Sequence, residues 1–353
     1  MSPGAGLIQR AGQQLRLDGH SYVFAGLDAY ELASFPGVNA GCGPPAGDTD
    51  VGAFFASLPP NSVVRIWAWQ GSMATNPVSR QRTWAGLDRV VAAARAHQEK
   101  LIMSLTGQDG ACDDGHWKDP QWYQGGYRSL YNDDGRGLAT AAYWDWVHEV
   151  VGRYRTDPTI AMWEPVNEPE ASGCPSGLTG PGCNGHQLCP DQHAAAIALR
   201  AFFDTVGGEI HRLDPDHLVE SGALGSGQCG LSWTDYQYVH ASPGIDVASV
   251  HDYGFDNVAL PGDQWNGEQE RLTQTAALDK PLILGEIGIR ASDTTSCTTT
   301  TRRAAELLNK IQAARAAGFS GTAVWNWVPP TANEPGCNYD LSPGDPFLSQ
   351  LGS

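Results

Sequence analysis

The chain has 353 residues, of which 41% are hydrophobic, with 42 Gly and 23 Pro; this supports a large packed core and excludes a disordered or fibrous polymer. Lys and Arg number 22 against 39 Asp and Glu, a formal net charge of −17, so the surface repels phosphate backbones and anionic lipid. Nucleic acid and membranes are thereby excluded as partners, and no apolar run approaches the ~18 residues that would span a bilayer. A neutral molecule bound by a monomer is the expected partner.

In chain order, residues 7–18 read as a β-hairpin ending in Asp18-Gly19 and leading into the first strand. Eight apolar, β-branched runs follow, at residues 22–30, 63–69, 100–107, 160–168, 217–222, 245–253, 281–288 and 322–328. Near-continuous apolarity is the mark of parallel strands buried on both faces. Helical spacing appears between them. Residues 83–96 place Trp84, Leu87, Val90, Val91 and Ala94 on one face. Residues 192–213 do so with Ile197, Leu199, Phe202, Phe203, Val206 and Ile210, and residues 304–317 with Leu307, Leu308 and Ile311. Strand–helix alternation repeated in this way predicts an α/β fold, a (β/α)8 TIM barrel over residues 1–353 as one catalytic domain, with the N-terminal hairpin capping its bottom. A doubly wound sheet is the alternative, but no phosphate-binding loop follows the first strand. The longest irregular segments, 107–137, 169–190 and 253–264, all follow strands and so belong on the C-terminal face, where barrel chemistry sits.

The eight Cys lie in Gly/Pro-rich segments, which points to disulfides and a secreted protein. Cys297 and Cys337 follow neighbouring strands and are the expected pair. Cys174, Cys183 and Cys189 lack the spacing of a zinc site. Met-Ser-Pro-Gly at the start has no charged or apolar leader region, so secretion implies a signal segment removed ahead of it.

Two acidic residues close apolar strands. Glu168 ends Ile-Ala-Met-Trp-Glu-Pro-Val-Asn-Glu, and Glu286 follows Pro-Leu-Ile-Leu-Gly. A carboxylate there is costly unless it is paired or used, and two in one barrel mouth suit glycosidase chemistry. Arg65 lies inside the second strand and needs an anion; a nucleophilic Glu is a suitable one. His251 and Tyr253 close the sixth strand. Trp325 and Trp327 share a face if the eighth strand alternates, so one can floor a pocket.

This ordered set resembles glycoside hydrolase family 5, in the clan A retaining glycosidases: Asn167-Glu168-Pro169, Glu286 in Gly-Glu-Ile-Gly, Arg65 in the second strand and His251-x-Tyr253 in the sixth. The resemblance covers essentially the whole chain. It implies Glu168 as acid/base, Glu286 as nucleophile and Asn167 as the residue holding the 2-hydroxyl of the reacting sugar. It implies that Arg65, His251 and Tyr253 support the nucleophile and that Trp327 stacks under that sugar, with Trp67 also contacting substrate. Arg65-Ile-Trp-Ala-Trp69 and Phe24-Ala-Gly26 are closest to β-mannanases, which implies an endo-β-1,4-mannanase acting on a neutral β-linked oligo- or polysaccharide with no cofactor or metal. Glu170 departs from the Arg that many mannanases carry after Asn-Glu-Pro.

A β-1,4-glucanase, an exo-β-mannosidase, another β-glycosidase of the family and a non-catalytic carbohydrate-binding barrel remain open. Glu286 must be ionised, by Arg65 and Tyr253, and Glu168 must carry a proton. Trp117, Trp122, Tyr123, Trp233 and Trp265 fall in the long loops as candidate stacking platforms. The Gly225–Gly230 run matches G-x-G-x-x-G but lacks a following helix opening and reads as a barrel loop. Asp109, Asp113 and Asp114 read as a solvated acidic loop.

Overall fold

All eight candidate strands form, and all run parallel. The computed structural model describes residues 6–35, 49–133, 138–173, 189–254, 260–294, 296–330 and 336–351. Among these, β1 (Ile8–Ala11), β2 (Gln14–Leu17) and β3 (His20–Tyr22) make a small antiparallel sheet, one strand more than the expected hairpin. The barrel strands are β4 (Phe24–Asp28), β5 (Val63–Trp67), β6 (Lys100–Ser104), β7 (Ile160–Glu164), β8 (Leu218–Val219), β9 (Ala248–Asp252), β10 (Leu282–Ile287) and β11 (Gly321–Val324). Their order is β8-β7-β6-β5-β4-β11-β10-β9. Between the two outer strands the seam is narrow. It has a single bridge among the described residues, from Glu220 to Val247. Backbone bonds run from the Asp246 and Val247 amides to the Val219 carbonyl, from the Ser221 amide to the Val247 carbonyl and from the His251 amide to the Leu224 carbonyl, and side-chain bonds from the Val219 amide to Asp246 and the Ser249 amide to Ser221.

Strand alternation sorts the side chains into layers. Along β5, Val63 belongs to the floor, Arg65 to the middle and Trp67 to the mouth, while Val64 and Ile66 face the helices. Phe24, Ile102, Met162, Val247 and Ile283 complete the floor with Val63. Ile8 and Leu15 of the small sheet pack onto this same cluster, so that sheet caps the barrel bottom as expected. Gly26 is required where it stands: a Cβ there would lie 1.9 Å from the Val63 carbonyl oxygen.

The helices match the periodicity closely. Ala85–His97 and Thr300–Ala317 cover two of the expected ranges, and the third runs without a break as Gln192–Phe202, a π turn Phe203–Gly207, and Gly208–Leu213. Ile197 departs from its expected place: it faces solvent, whereas Leu199, Phe202, Phe203, Val206 and Ile210 are buried. The Cys297–Cys337 disulfide forms, and Cys189 pairs with Cys229. Cys112 is also disulfide-bonded. Cys42, Cys174 and Cys183 lie outside the described residues. No helix among the described residues is long and apolar enough to cross a membrane.

Candidate active site

The strands deliver Arg65, His251 and Glu286 directly to the barrel mouth. The register pairs Glu286 with His251 across β10 and β9, and Asp28 with Arg65 across β4 and β5. Asn167 and Glu168 arrive differently. Strand β7 ends at Glu164, four residues earlier than the apolar run suggests, because Pro165 cannot donate to a ladder. Beyond it, the Asn167 amide donates to the Thr106 carbonyl and the Glu168 amide to the Gly222 carbonyl, both within 2.9 Å. Glu168 takes a left-handed φ of 53°, a conformation uncommon for non-glycine residues.

Arg65 is the hub. It is fully buried, and all five of its N–H groups have acceptors. Nε and Nη2 grip both oxygens of Glu164 at 2.5 and 2.7 Å, while a second Nη2 bond reaches Asn167 Oδ1 at 2.6 Å. Nη1 donates to Asp28 Oδ1 at 2.8 Å and to Glu286 Oε1 at 2.7 Å. Tyr253 Oη donates to the other Glu286 oxygen at 2.5 Å. His251 Nδ1 lies 2.9 Å from Glu168 Oε1 and 3.6 Å from Glu286 Oε2. Glu168, His251 and Glu286 each present an atom within 4.8 Å of the others, the one three-residue grouping among the described residues able to hold a metal ion.

Burial separates the two catalytic carboxyl candidates. The Glu286 side chain is 4% exposed and that of Glu168 is 35%. Burial pushes Glu286 above the usual carboxylate range, against the pull of His251 and Arg65. Arg65 and Tyr253, expected to keep Glu286 ionised, both act in that direction, but desolvation outweighs them. His251 is also buried, but the charges of Glu286 and Glu168 outweigh that and raise its pKa, favouring the imidazolium. Burial and the Glu286 charge drive the Tyr253 phenol well up, so it remains a donor.

Three acids below the hub were not anticipated. Burial pushes Asp28 up to about 8 despite Arg65. Glu164 is held at about 2: burial opposes ionisation, but Arg65 and a hydrogen bond from Glu220 prevail. Burial and the Glu164 charge push Glu220 well up. Glu220 Oε2 accepts from the Gly222 amide at 2.7 Å, and Oε1 has no donor facing it. With both Glu164 oxygens engaged by Arg65, Glu220 is the member of this acid pair that keeps its proton. The sequence signal for Glu164 was present, an acid ending a β-strand, but Glu168 four residues on drew the attention.

The mouth opens into a cleft of about 760 Å³ lined by Trp67, Trp69, Asn167, Glu168, Tyr253 and Glu286, among others. Trp67 and Trp69 stack face to face, 3.6 Å apart. The eighth-strand tryptophans separate. Trp325 lines the cleft and stacks on Tyr30, whereas Trp327 is buried against Phe54 and faces a different, apolar cavity of about 840 Å³. Strand β11 ends at Val324, so alternation does not extend to either residue. Trp325 therefore occupies the cleft position that the sequence reading assigned to Trp327.

Of the loop aromatics, Trp122 and Tyr123 are core, Trp117 is mostly buried at the cleft wall, and Trp233 and Trp265 are exposed. Asp113 and Asp114 are buried rather than solvated: Asp113 accepts from Gly71 and Thr106, and Asp114 pairs with Lys118 at 2.6 Å. Leu224, Ser226, Gly227 and Gln228 form cleft wall, tied at Cys229 to Cys189.

The family described as GH family 5 beta-mannosidase-like matches residues 64–346. The chain belongs to glycoside hydrolase family 5. It is thus a retaining glycoside hydrolase of clan A, and its barrel is that family's catalytic fold. It is 27% identical over 338 residues to mannan endo-1,4-beta-mannosidase 7 of Oryza sativa subsp. japonica, covering 81% of this chain and 78% of the relative. It is also 27% identical to a probable mannan endo-1,4-beta-mannosidase C of Aspergillus terreus, over 80% of this chain and 73% of that one. Among solved structures, the endo-1,4-beta-mannanase of Rhizomucor miehei superposes with a TM-score of 0.65 at 21% identity, covering 98% of this chain and 97% of that chain.

Proposed function

We propose that this glycoside hydrolase is a secreted, monomeric endo-β-1,4-mannanase. In this reading Glu286 attacks the anomeric carbon while Glu168 protonates the leaving oxygen. Glu168 then removes a proton from water, which releases the sugar from Glu286 with net retention. Asn167 holds the 2-hydroxyl, Arg65, His251 and Tyr253 orient Glu286, and Trp67 and Trp325 contact the sugar rings.

The observation that carries the reading is the proximity of the carboxyls. Oxygens of Glu168 and Glu286 lie within 4.8 Å. Retaining enzymes hold their carboxyls about 5–5.5 Å apart, whereas inverting ones need roughly 6.5–9.5 Å to admit water. The mannan-named relatives support the substrate, and the disulfides support an oxidising location.

The test is product analysis on linear β-1,4-mannan and, in parallel, a soluble cellulose derivative, with Glu168→Ala as blank. Short manno-oligosaccharides from mannan alone, appearing first as the β-anomer, are expected. Release from the cellulose derivative alone would turn the assignment to a β-1,4-glucanase. Glu286→Gln should abolish turnover and leave binding largely intact; more than a few per cent residual activity would remove Glu286 from the nucleophile role.

A further inference from the structure

Trp233 and Trp265 are 61% and 56% exposed, and their rings lie 5.8 Å apart. Large apolar rings on a soluble surface need a reason when they are adjacent, since together they form a patch. These two are also held in place. Trp233 has φ 51° and ψ −128°, a conformation an L-residue rarely keeps unless its surroundings impose it.

What imposes it is Arg271, which is fully buried. Its donors go to the carbonyls of Gly225, Leu231 and Trp233 and to Gln274 Oε1 and Asn266 Oδ1, at 2.8–3.1 Å. None of these acceptors is a carboxylate. A buried guanidinium is thus spent on shaping one loop. Asn266 Oδ1 also accepts the Trp233 amide at 2.9 Å, which links the two Trp-bearing segments.

The same frame touches the cleft wall at Gly227. Ser232, the neighbour of Trp233, donates its hydroxyl to the Gly227 carbonyl at 2.8 Å. Asn266, the neighbour of Trp265, stands 3.4 Å from where a Gly227 Cβ would be. Gly227 lines the cleft that holds Glu168 and Glu286. The tryptophan pair therefore continues the cleft beyond its rim.

We propose that Trp233 and Trp265 form an outer binding platform for a neutral β-linked hexopyranose chain already threaded through the cleft. The inference rests on the glycan-cleaving reading above and adds a site to it. A hexopyranose presents flat C–H faces to an indole and carries no charge, which suits both the rings and a chain of net charge −17.

The experiment compares wild type with Trp233→Ala, Trp265→Ala and the double variant across manno-oligosaccharides of two to six sugars and polymeric mannan. The double variant should lose about tenfold in kcat/KM on the polymer, chiefly through KM, and stay within about twofold on the shortest cleaved substrate. Trp233→Phe should recover part of the loss. Equal losses on short and long substrates, or no loss on the polymer, would overturn the platform. Retardation of the Glu286→Gln protein in gels containing mannan or hydroxyethyl cellulose, with and without the two Trp changes, separates the two proposals. Weaker retardation by either polymer in a protein that does not cleave mannan would keep the platform and remove the mannanase assignment. Mannan cleavage with unaltered retardation would do the reverse.

Discussion

Tyr253 gives its hydroxyl to Glu286, and this single bond offsets part of the burial that holds the Glu286 carboxyl high. In the proposed mechanism Glu286 must lose its proton before it can attack, so a raised pKa moves the acid limb of kcat/KM upward. Tyr253→Phe removes a donor that favours the ionised form and should move that limb further up while lowering kcat about tenfold. A pH–rate profile of the two proteins checks the direction; an acid limb displaced downward would show that Tyr253 acts otherwise. Glu220 makes the complementary case below the hub. Burial and Glu164 hold its pKa above the unfolded value, so the native state keeps a proton that the unfolded chain releases. That contribution to stability is complete below about pH 4.3 and is lost as pH rises toward the native pKa. Asp28, pushed up to about 8, acts in the same sense. Glu220→Gln keeps a donor for Glu164 and an acceptor for the Gly222 amide without a titrating proton. Its Tm should therefore fall less steeply than that of wild type between about pH 5 and 8. Unchanged steepness in thermal melts across that range would mean that Glu220 is ionised.

At the level of strands and helices, the small N-terminal sheet is separate from the chemistry. Leu15 is fully buried on the barrel floor, at the end opposite the carboxylates. Leu15→Ala should cost about 3 kcal/mol, read by urea unfolding, with kcat/KM within about twofold of wild type. This separation was legible in the sequence because alternation and apolar runs report directly on which strands are buried. Strand ends were less legible. The apolar run through Val166 hides the end of the β7 ladder at Glu164, and the Ala-Val-Trp-Asn-Trp run hides the end of β11 at Val324. Hydrophobicity continues past both points because the following loops are themselves buried, and parity counted along such a run puts Trp325 and Trp327 on one face, whereas only Trp325 lines the cleft. Glu164 and Glu220 were missed for a related reason. An acid buried by pairing and one buried for chemistry look alike in a single sequence; the structure separates them because Glu286 lines the cleft, whereas Arg65 engages both oxygens of Glu164 and Glu220 is buried beside Glu164.

Across the whole molecule, the ordered set of Arg65, Asn167, Glu168, His251, Tyr253 and Glu286 converges on one cleft although it spans more than 200 positions of chain. Within a chain of net charge −17, Arg65 and His251 place two basic groups among the acids of the site. The barrel is unevenly closed, however. Seven of its strand contacts are ladders, whereas β8 contributes two residues and meets β9 mainly through Val219, Glu220 and Val247. The Gly222 carbonyl that anchors the Glu168 amide lies two residues beyond that bridge. Heat should therefore open the wall there first, releasing Glu168 while the remaining staves stand. Catalysis would then fail at a lower temperature than the far-ultraviolet dichroism, and amide exchange at Ser221 and Val247 would outpace that at Arg65. Coincident loss of turnover and ellipticity would instead describe a vessel that breaks all at once.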